Sequence, residues 1–169
     1  FFKDVKSEIL KNTTENSKTI NINLEEKPTG EIMAGAGVGT NGGSFGFTIS
    51  ENNWLGDGKE IAFDTEVTND SLRGTINYTD PNYDFLGNSL NYYLSSTNND
   101  KPDQGYENSV VSAGINTSFE QYKDLFATLG LNASYDDLRT TDNASASLRE
   151  QSGEFSELAG VYGFALDKR

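Results

Sequence analysis

The chain has no cysteine and no histidine, and among its 169 residues there are three prolines, one methionine and one tryptophan. Without thiols there is no disulfide framework and no redox constraint, so cysteine use says nothing about compartment. Without His or Cys the common nucleophile–base pairs are missing, and no motif sets two carboxylates as an acid–base couple. No enzyme is expected. Cations are scarce as well: 13 Lys and Arg against 26 Asp and Glu leave a net charge of −13. That sign is wrong for a phosphate backbone, so no nucleic-acid partner is expected. No apolar run approaches the ~18–20 residues of a membrane-spanning helix. This excludes helical membrane proteins only, because barrel strands carry a far weaker signal per segment.

What is present points to strands. Hydrophobic residues make up 34%, low for a compact core, yet Tyr, Phe and Thr are plentiful where disordered chains are poor in them. Residues 1–28 form a region of their own. Phe1 to Lys6 and Thr19 to Glu25 read as strands, the second alternating Ile20, Ile22 and Leu24 with polar residues, and a polar loop from Lys11 to Lys18 divides them. Pro28 and Gly30 then punctuate the chain. Two strands make no stable domain alone, so residues 1–28 read as the end of one. The start at Phe1-Phe2 and the finish at Asp167-Lys168-Arg169, straight after a strand-like run, both read as cut.

From residue 29 onward, runs with period two recur between turn signals. Phe45, Phe47 and Ile49 alternate with Gly46, Thr48 and Ser50; Ile61, Phe63 and Val67 with Ala62, Asp64 and Glu66; Leu72, Ile76 and Tyr78 with Arg73, Thr75 and Asn77. The same holds for Leu90 to Leu94, Val111 to Phe119, Leu125 to Ala133 and Leu158 to Leu166. With the Gly-rich run Glu31 to Gly39 this gives about eight strands, each with one apolar and one polar or small face. A soluble sandwich would point the apolar face into a core; an outer-membrane barrel would point it at lipid around a wet lumen. The small polar off-faces, later strands longer than the usual five or six residues, and turns of two kinds favour the barrel. Compact turns at 52–58, 80–88 and 120–123 sit beside Trp54, Tyr83, Phe85, Phe119 and Tyr122, which are expected to anchor at a membrane interface. Thr97 to Glu107 and Asp136 to Gly153 are expected as longer polar loops at the opposite rim.

One segment carries a family resemblance: Lys27-Pro28-Thr29-Gly30-Glu31-Ile32-Met33-Ala34-Gly35-Ala36-Gly37-Val38-Gly39-Thr40. It resembles the junction between the last POTRA domain and the first barrel strand of BamA-type outer-membrane proteins. Glu51-Asn52-Asn53-Trp54-Leu55-Gly56-Asp57-Gly58 is similar to that family's first compact turn, and Asp80-Pro81-Asn82-Tyr83 to a later one. Phe164-Ala165-Leu166-Asp167-Lys168-Arg169 resembles a strand end that precedes another family turn. The matches are collinear over essentially the whole chain. The resemblance implies an all-β fold: residues 1–28 ending a periplasmic POTRA domain, and residues 29–169 supplying the N-terminal half of a sixteen-stranded antiparallel transmembrane barrel.

The same resemblance implies a function: folding β-barrel clients and inserting them into the bacterial outer membrane. The implied partners are unfolded outer-membrane proteins and their C-terminal strands, accessory assembly lipoproteins and outer-membrane lipid; no cofactor or metal is implied. Met33, Ala34, Gly35, Ala36, Gly37, Val38, Gly39 and Thr40 would be the templating edge, since an unpaired strand offers backbone N–H and C=O groups to another strand. Glycines weaken a strand and would make this seam easy to open; the alternative is that they accommodate curvature or close packing. Rival readings are a TamA-type translocation barrel, a passive outer-membrane transport barrel, and a soluble acidic sandwich that binds glycans or other cells.

Other candidates are weaker. Gly35-Ala36-Gly37-Val38-Gly39 lacks the Gly-Lys-Ser/Thr of a phosphate loop. Asp136, Asp137 and Asp142 lack the spacing of a calcium loop. Asp64, Glu66 and Arg73 read as solvated lumen charges, and Asn132-Ala133-Ser134 as a chance glycosylation triplet.

Overall fold

The computed structural model describes residues 2–11, 18–39 and 42–168. The chain divides into two compact units, Phe1–Gly30 and Glu31–Arg169. The first is a hairpin of β1 (Phe2–Lys11) and β2 (Lys18–Glu26). Val5 stands opposite Leu24, Ser7 opposite Ile22 and Ile9 opposite Ile20. Directly opposed residues share a face, so Val5, Ile9, Ile20, Ile22 and Leu24 form one apolar surface, all of it exposed. β1 runs on to Lys11, beyond the Lys6 end that composition suggests, because its backbone keeps pairing regardless of side-chain polarity. Phe1 and residues 12–17 of the anticipated loop lie outside the described residues.

The second unit is one sheet of eight strands in strict sequence order. They are β3 (Gly30–Gly39), β4 (Gly42–Trp54), β5 (Lys59–Thr68), β6 (Ser71–Asp80), β7 (Ser89–Lys101), β8 (Tyr106–Tyr122), β9 (Leu125–Thr140) and β10 (Gly153–Leu166). From β4 to β10 each strand pairs antiparallel with the next. The sheet is open: β3 has only β4 beside it and β10 only β9, so these two strands are its edges. The expected all-β, antiparallel architecture is therefore present, as the continuous wall of a barrel portion.

The loop expectation fails in part. Thr97 to Lys101 belongs to β7 and Tyr106 and Glu107 to β8, leaving only residues 102–105, with a 3-10 turn at Pro102–Gln104, as the connection. Asp136 and Asp137 likewise lie within β9, not in a loop, and the final connection shrinks to 141–152, carrying the short helix α1 (Ala146–Glu150). These stretches look like loop because they are polar on both faces. They stay extended because the ladder continues: Asn98 opposes Ser109, Asn99 opposes Asn108, and Ser109 opposes Asp137.

The register separates two faces across the whole sheet. One row runs Ile49, Phe63, Ile76, Leu94, Ala113, Ala133, Leu158; a neighbouring row on the same face runs Ile61, Tyr78, Tyr92, Ile115, Leu131, Gly160. The opposite face carries Thr48, Asp64, Thr75 and Ser95 in one row, and Asn77, Tyr93, Gly114 and Asn132 in another. No described residue covers the apolar face. Among the described residues only Ala127 and Ala144 are buried apolar residues, while Leu129, Leu131 and Phe164 remain at least half exposed. Full burial of a Leu or Phe side chain contributes about 1.5–3 kcal/mol, which a water-soluble sheet of this composition would forgo repeatedly.

The apolar face is also a band of finite height. On β9 it runs from Leu125 to Tyr135, then gives way on the same face to Asp137 and Arg139. Those ten steps at ~3.4 Å make ~34 Å along the strand. A strand tilt of roughly 35–45° would reduce this to about the 25 Å height of a lipid-facing band. On β8 the face passes from Val111 to Ser109 and Glu107; on β10 it passes from Leu158 to Ser156 and Glu154. The long strands thus outrun the apolar band at one end only.

Candidate functional site: a free edge strand and an aromatic rim

β3 presents one side to β4 and leaves the other without a neighbour in the sheet. Met33, Ala34, Gly35, Ala36, Gly37, Val38 and Gly39 all lie on it and are exposed, and Thr40 falls outside the described residues. A Cβ added to Gly37 would come 3.1 Å from Ser44 Oγ, which places the odd-numbered residues on the polar face with Ser44, Gly46 and Thr48. Val38 then shares the apolar face. Gly35 and Gly39 have no neighbour within 4 Å of where a Cβ would stand, and neither has a positive φ. Packing does not require glycine at either position, so their effect on the strand is entropic weakening and a bare, side-chain-free polar face.

The polar face of β3 to β7 curls around a cavity of about 710 Å³ lined by Met33, Thr48, Asp64, Glu66, Arg73, Asn77 and Tyr93. Thr48 Oγ1 donates to Asp64 Oδ1 at 2.8 Å, and Glu66 stands directly opposite Arg73. Asp64, Glu66 and Arg73 therefore share the concave side as anticipated. Farther along the sheet Asn99 Nδ2 donates to Asn108 Oδ1 at 3.3 Å, and Asn108 Nδ2 donates to Asp136. Asp137 instead pairs with Arg139 at 2.6 Å. Among the described residues there is no cluster of carboxylates able to hold a metal ion.

The five aromatics gather at one end of the sheet, here called the proximal rim, where β3 begins and β10 ends. Its turns are 55–58, 81–88 and 123–124. Tyr83 and Phe85 lie in the middle turn, and Phe119 sits on the apolar face opposite Ala127. Trp54 and Tyr122 reach that face by a device the alternation does not reveal. A bulge between Glu51 and Trp54 sets Trp54 opposite Lys59, and one between Glu120 and Tyr122 sets Tyr122 opposite Leu125. Each extra residue reverses the strand's parity, so two side chains whose numbers assign them to the polar face turn outward. Tyr78 and Tyr92, ring centroids 6.2 Å apart, extend the same aromatic zone; their alternation was legible, but their pairing was not.

The turns of this rim are stiff. Asn53 N donates to Glu51 Oε1 at 2.8 Å, and Gly58 N donates to Asn53 Oδ1 at 2.7 Å. The next turn repeats both bonds at the same spacing: Asn82 N donates to Asp80 Oδ1 at 3.1 Å, and Gly87 N to Asn82 Oδ1 at 2.7 Å. The repeat, acidic-x-Asn-aromatic-x-x-x-Gly, stands in the sequence at 51–58 and 80–87. Desolvation raises the Asp84 pKa, but bonds from Leu86 N, Asn88 Nδ2 and Asn88 N outweigh it and hold the carboxyl below its ordinary range.

Comparison with known proteins agrees with this geometry. Residues 53–169 match the model of the Omp85 superfamily domain. The match begins at Asn53, after the Gly-rich strand. The fold is similar to a crystal structure of BamA from Haemophilus ducreyi lacking POTRA domains 1-3, with a TM-score of 0.78 at 18% identity over 99% of this chain. The chain spans 36% of the length of that protein. An open antiparallel wall with an uncovered apolar face, a polar concave side and a family match over most of its length make this chain a member of the Omp85 superfamily.

Proposed function

We propose that this chain is the part of an outer-membrane assembly factor that receives β-barrel clients, with Met33 to Thr40 as the strand they pair with. The observation that carries this reading is the combination, in one sheet, of an uncovered apolar face with an exposed, Gly-rich edge strand. The apolar band supports contact with outer-membrane lipid. The free edge of β3 supports backbone pairing with the C-terminal strand of an unfolded outer-membrane protein, a step that forms hydrogen bonds and breaks no covalent bond. The open space around Gly35 and Gly39 favours a seam weakened on purpose over glycines demanded by packing. The hairpin β1–β2 fits the end of a POTRA domain in the periplasm, with its apolar face completed by the rest of that domain. Accessory lipoproteins would act on the same periplasmic side.

These 169 residues contain no cysteine, so the test is clean once any cysteine elsewhere in the full-length protein is replaced by Ser. Gly37→Cys and Val38→Cys in the full-length protein are to be trapped in outer membranes against cysteines placed along the C-terminal strand of a newly made barrel client. Register-specific disulfides are the expected result. Efficient cross-links only to the protein's own last strand would show a permanently closed seam and convert the reading to a transport barrel.

A further inference from the structure

The proximal turns carry a feature that the fold does not need. Leu55 and Phe85 both have left-handed backbones, with φ of 58° and 62°. For a bulky residue that region is strained relative to the right-handed one, and glycine occupies it without that cost. Their side chains earn nothing from packing: Leu55 is 82% exposed and Phe85 90%, with Leu86 beside it at 81%. Strain, exposure and apolar character coincide in both turns, at the fifth residue of the first repeat (Leu55) and the sixth of the second (Phe85), and form an outlier that calls for a partner.

We propose that Leu55, Phe85 and Leu86 are paired wedges that enter the headgroup–acyl boundary of the nearer lipid leaflet and fix the depth of this rim. Three observations select lipid over a protein groove or water. First, the wedges are continuous with the apolar face, because the bulges bring Trp54 and Tyr122 onto it at the same rim. Second, the turn backbones satisfy themselves. Gly56 N and Asp57 N donate to Asn53 O and Trp54 O at 2.9 and 3.3 Å, and Tyr83 N and Phe85 N to Asn88 O and Asn82 O at 3.1 and 3.2 Å. Together with the two asparagine cages, this leaves few backbone donors needing water, which a turn must achieve to enter a membrane boundary cheaply. Third, the carboxylates nearest the tips are engaged: Asp84 accepts from Leu86 N at 3.0 Å, and Asp57 faces Lys59 Nζ at 3.5 Å.

The inference rests on the membrane reading above, and its test separates the two. Trp54 is the sole tryptophan of these 169 residues, so Trp54→Phe, with any tryptophan elsewhere in the full-length protein also replaced by Phe, gives a dark background in that protein reconstituted into phospholipid vesicles. Leu55→Trp and Phe85→Trp report the wedges, and Leu131→Trp reports the middle of the apolar face. Lipids brominated near the headgroup are expected to quench both tip tryptophans more strongly than lipids brominated near the chain ends, with the reverse order at position 131. If position 131 is quenched by lipid but the tips are quenched by aqueous iodide, the wedges stand in water and the proposal is wrong. Tips quenched by neither agent would be covered by protein and would overturn it equally. If position 131 escapes lipid quenching, the membrane reading itself fails.

Discussion

The two rims of the sheet solve the same chain-reversal problem with different residues. At the proximal rim Leu55, Phe85 and Asp124 join Gly56, Gly58 and Gly87 in the left-handed region, whereas at the distal rim, among the described residues, only Gly42, Gly105 and Gly153 do. Two of the three proximal turns carry apolar residues, the third being Lys123-Asp124, and all three have backbone donors tied internally. Among the described residues the distal connections are Asn69-Asp70, Pro102-Asp103-Gln104-Gly105 and the polar stretch 141–152, stitched by charge and by loop-to-loop bonds. Lys101 Nζ reaches Asp70 Oδ2 at 2.6 Å, and Thr141 N donates to Gly105 O at 2.8 Å. A rim built for water can use its cheapest turn residues. The proximal rim accepts strain to keep apolar side chains at its tips.

The strongest way to break this comparison is to place one charge at two heights of the same face. Leu131→Arg, in the middle of the band, should destabilise the protein in bilayers by about 2–4 kcal/mol, whereas Glu107→Arg near the distal end should cost about 0–1 kcal/mol. Urea titrations in vesicles measure both, and equal costs would mean that the face does not span a membrane.

The distal rim is tested by Gly105→Ala. Gly105 has φ of 73°, and a Cβ there would lie 2.6 Å from the backbone nitrogen of Ala144. A loss of about 2 kcal/mol is expected from strain and collision together, with faster proteolysis in 141–152 as the readout. At the proximal rim, Asn53→Ala or Asn82→Ala removes one cage acceptor and should cost about 1 kcal/mol, seen as a lowered urea midpoint. The smallest effect concerns pH. Because bonds hold the Asp84 carboxyl below its ordinary range, its contribution is complete at neutral pH and is lost as pH falls through its depressed value. A tryptophan at position 85 should report loosening of the turn only in that acidic window.

Much of the wall was legible from alternation alone, because side chains with period two leave a mark wherever one face meets a uniform medium. Ile61 to Val67 and Leu125 to Ala133 show it plainly. Strand ends were not legible, since beyond the apolar band both faces meet water and Asn98, Asn99 and Asp136 look like loop residues. The aromatic rim was visible as composition near compact turns. How Trp54 and Tyr122 reach the outer face was hidden, because a bulge changes parity without changing residue type. The two turns that carry the wedges were visible as the repeated acidic-x-Asn-aromatic-x-x-x-Gly spacing, which marks neither wedge position and gives no hint of backbone strain.

The bulges have a consequence for how such sequences diverge. One extra residue at Glu51–Trp54 works as a local frameshift: everything on β4 before it keeps its orientation, and only the last side chain is re-aimed. A lineage could lose or gain that residue and move the terminal aromatic between the polar and the apolar face in a single step, with the body of the strand untouched. Relatives of this chain should therefore differ by single-residue gaps at these two places while the hydrophobic rhythm on either side stays in phase.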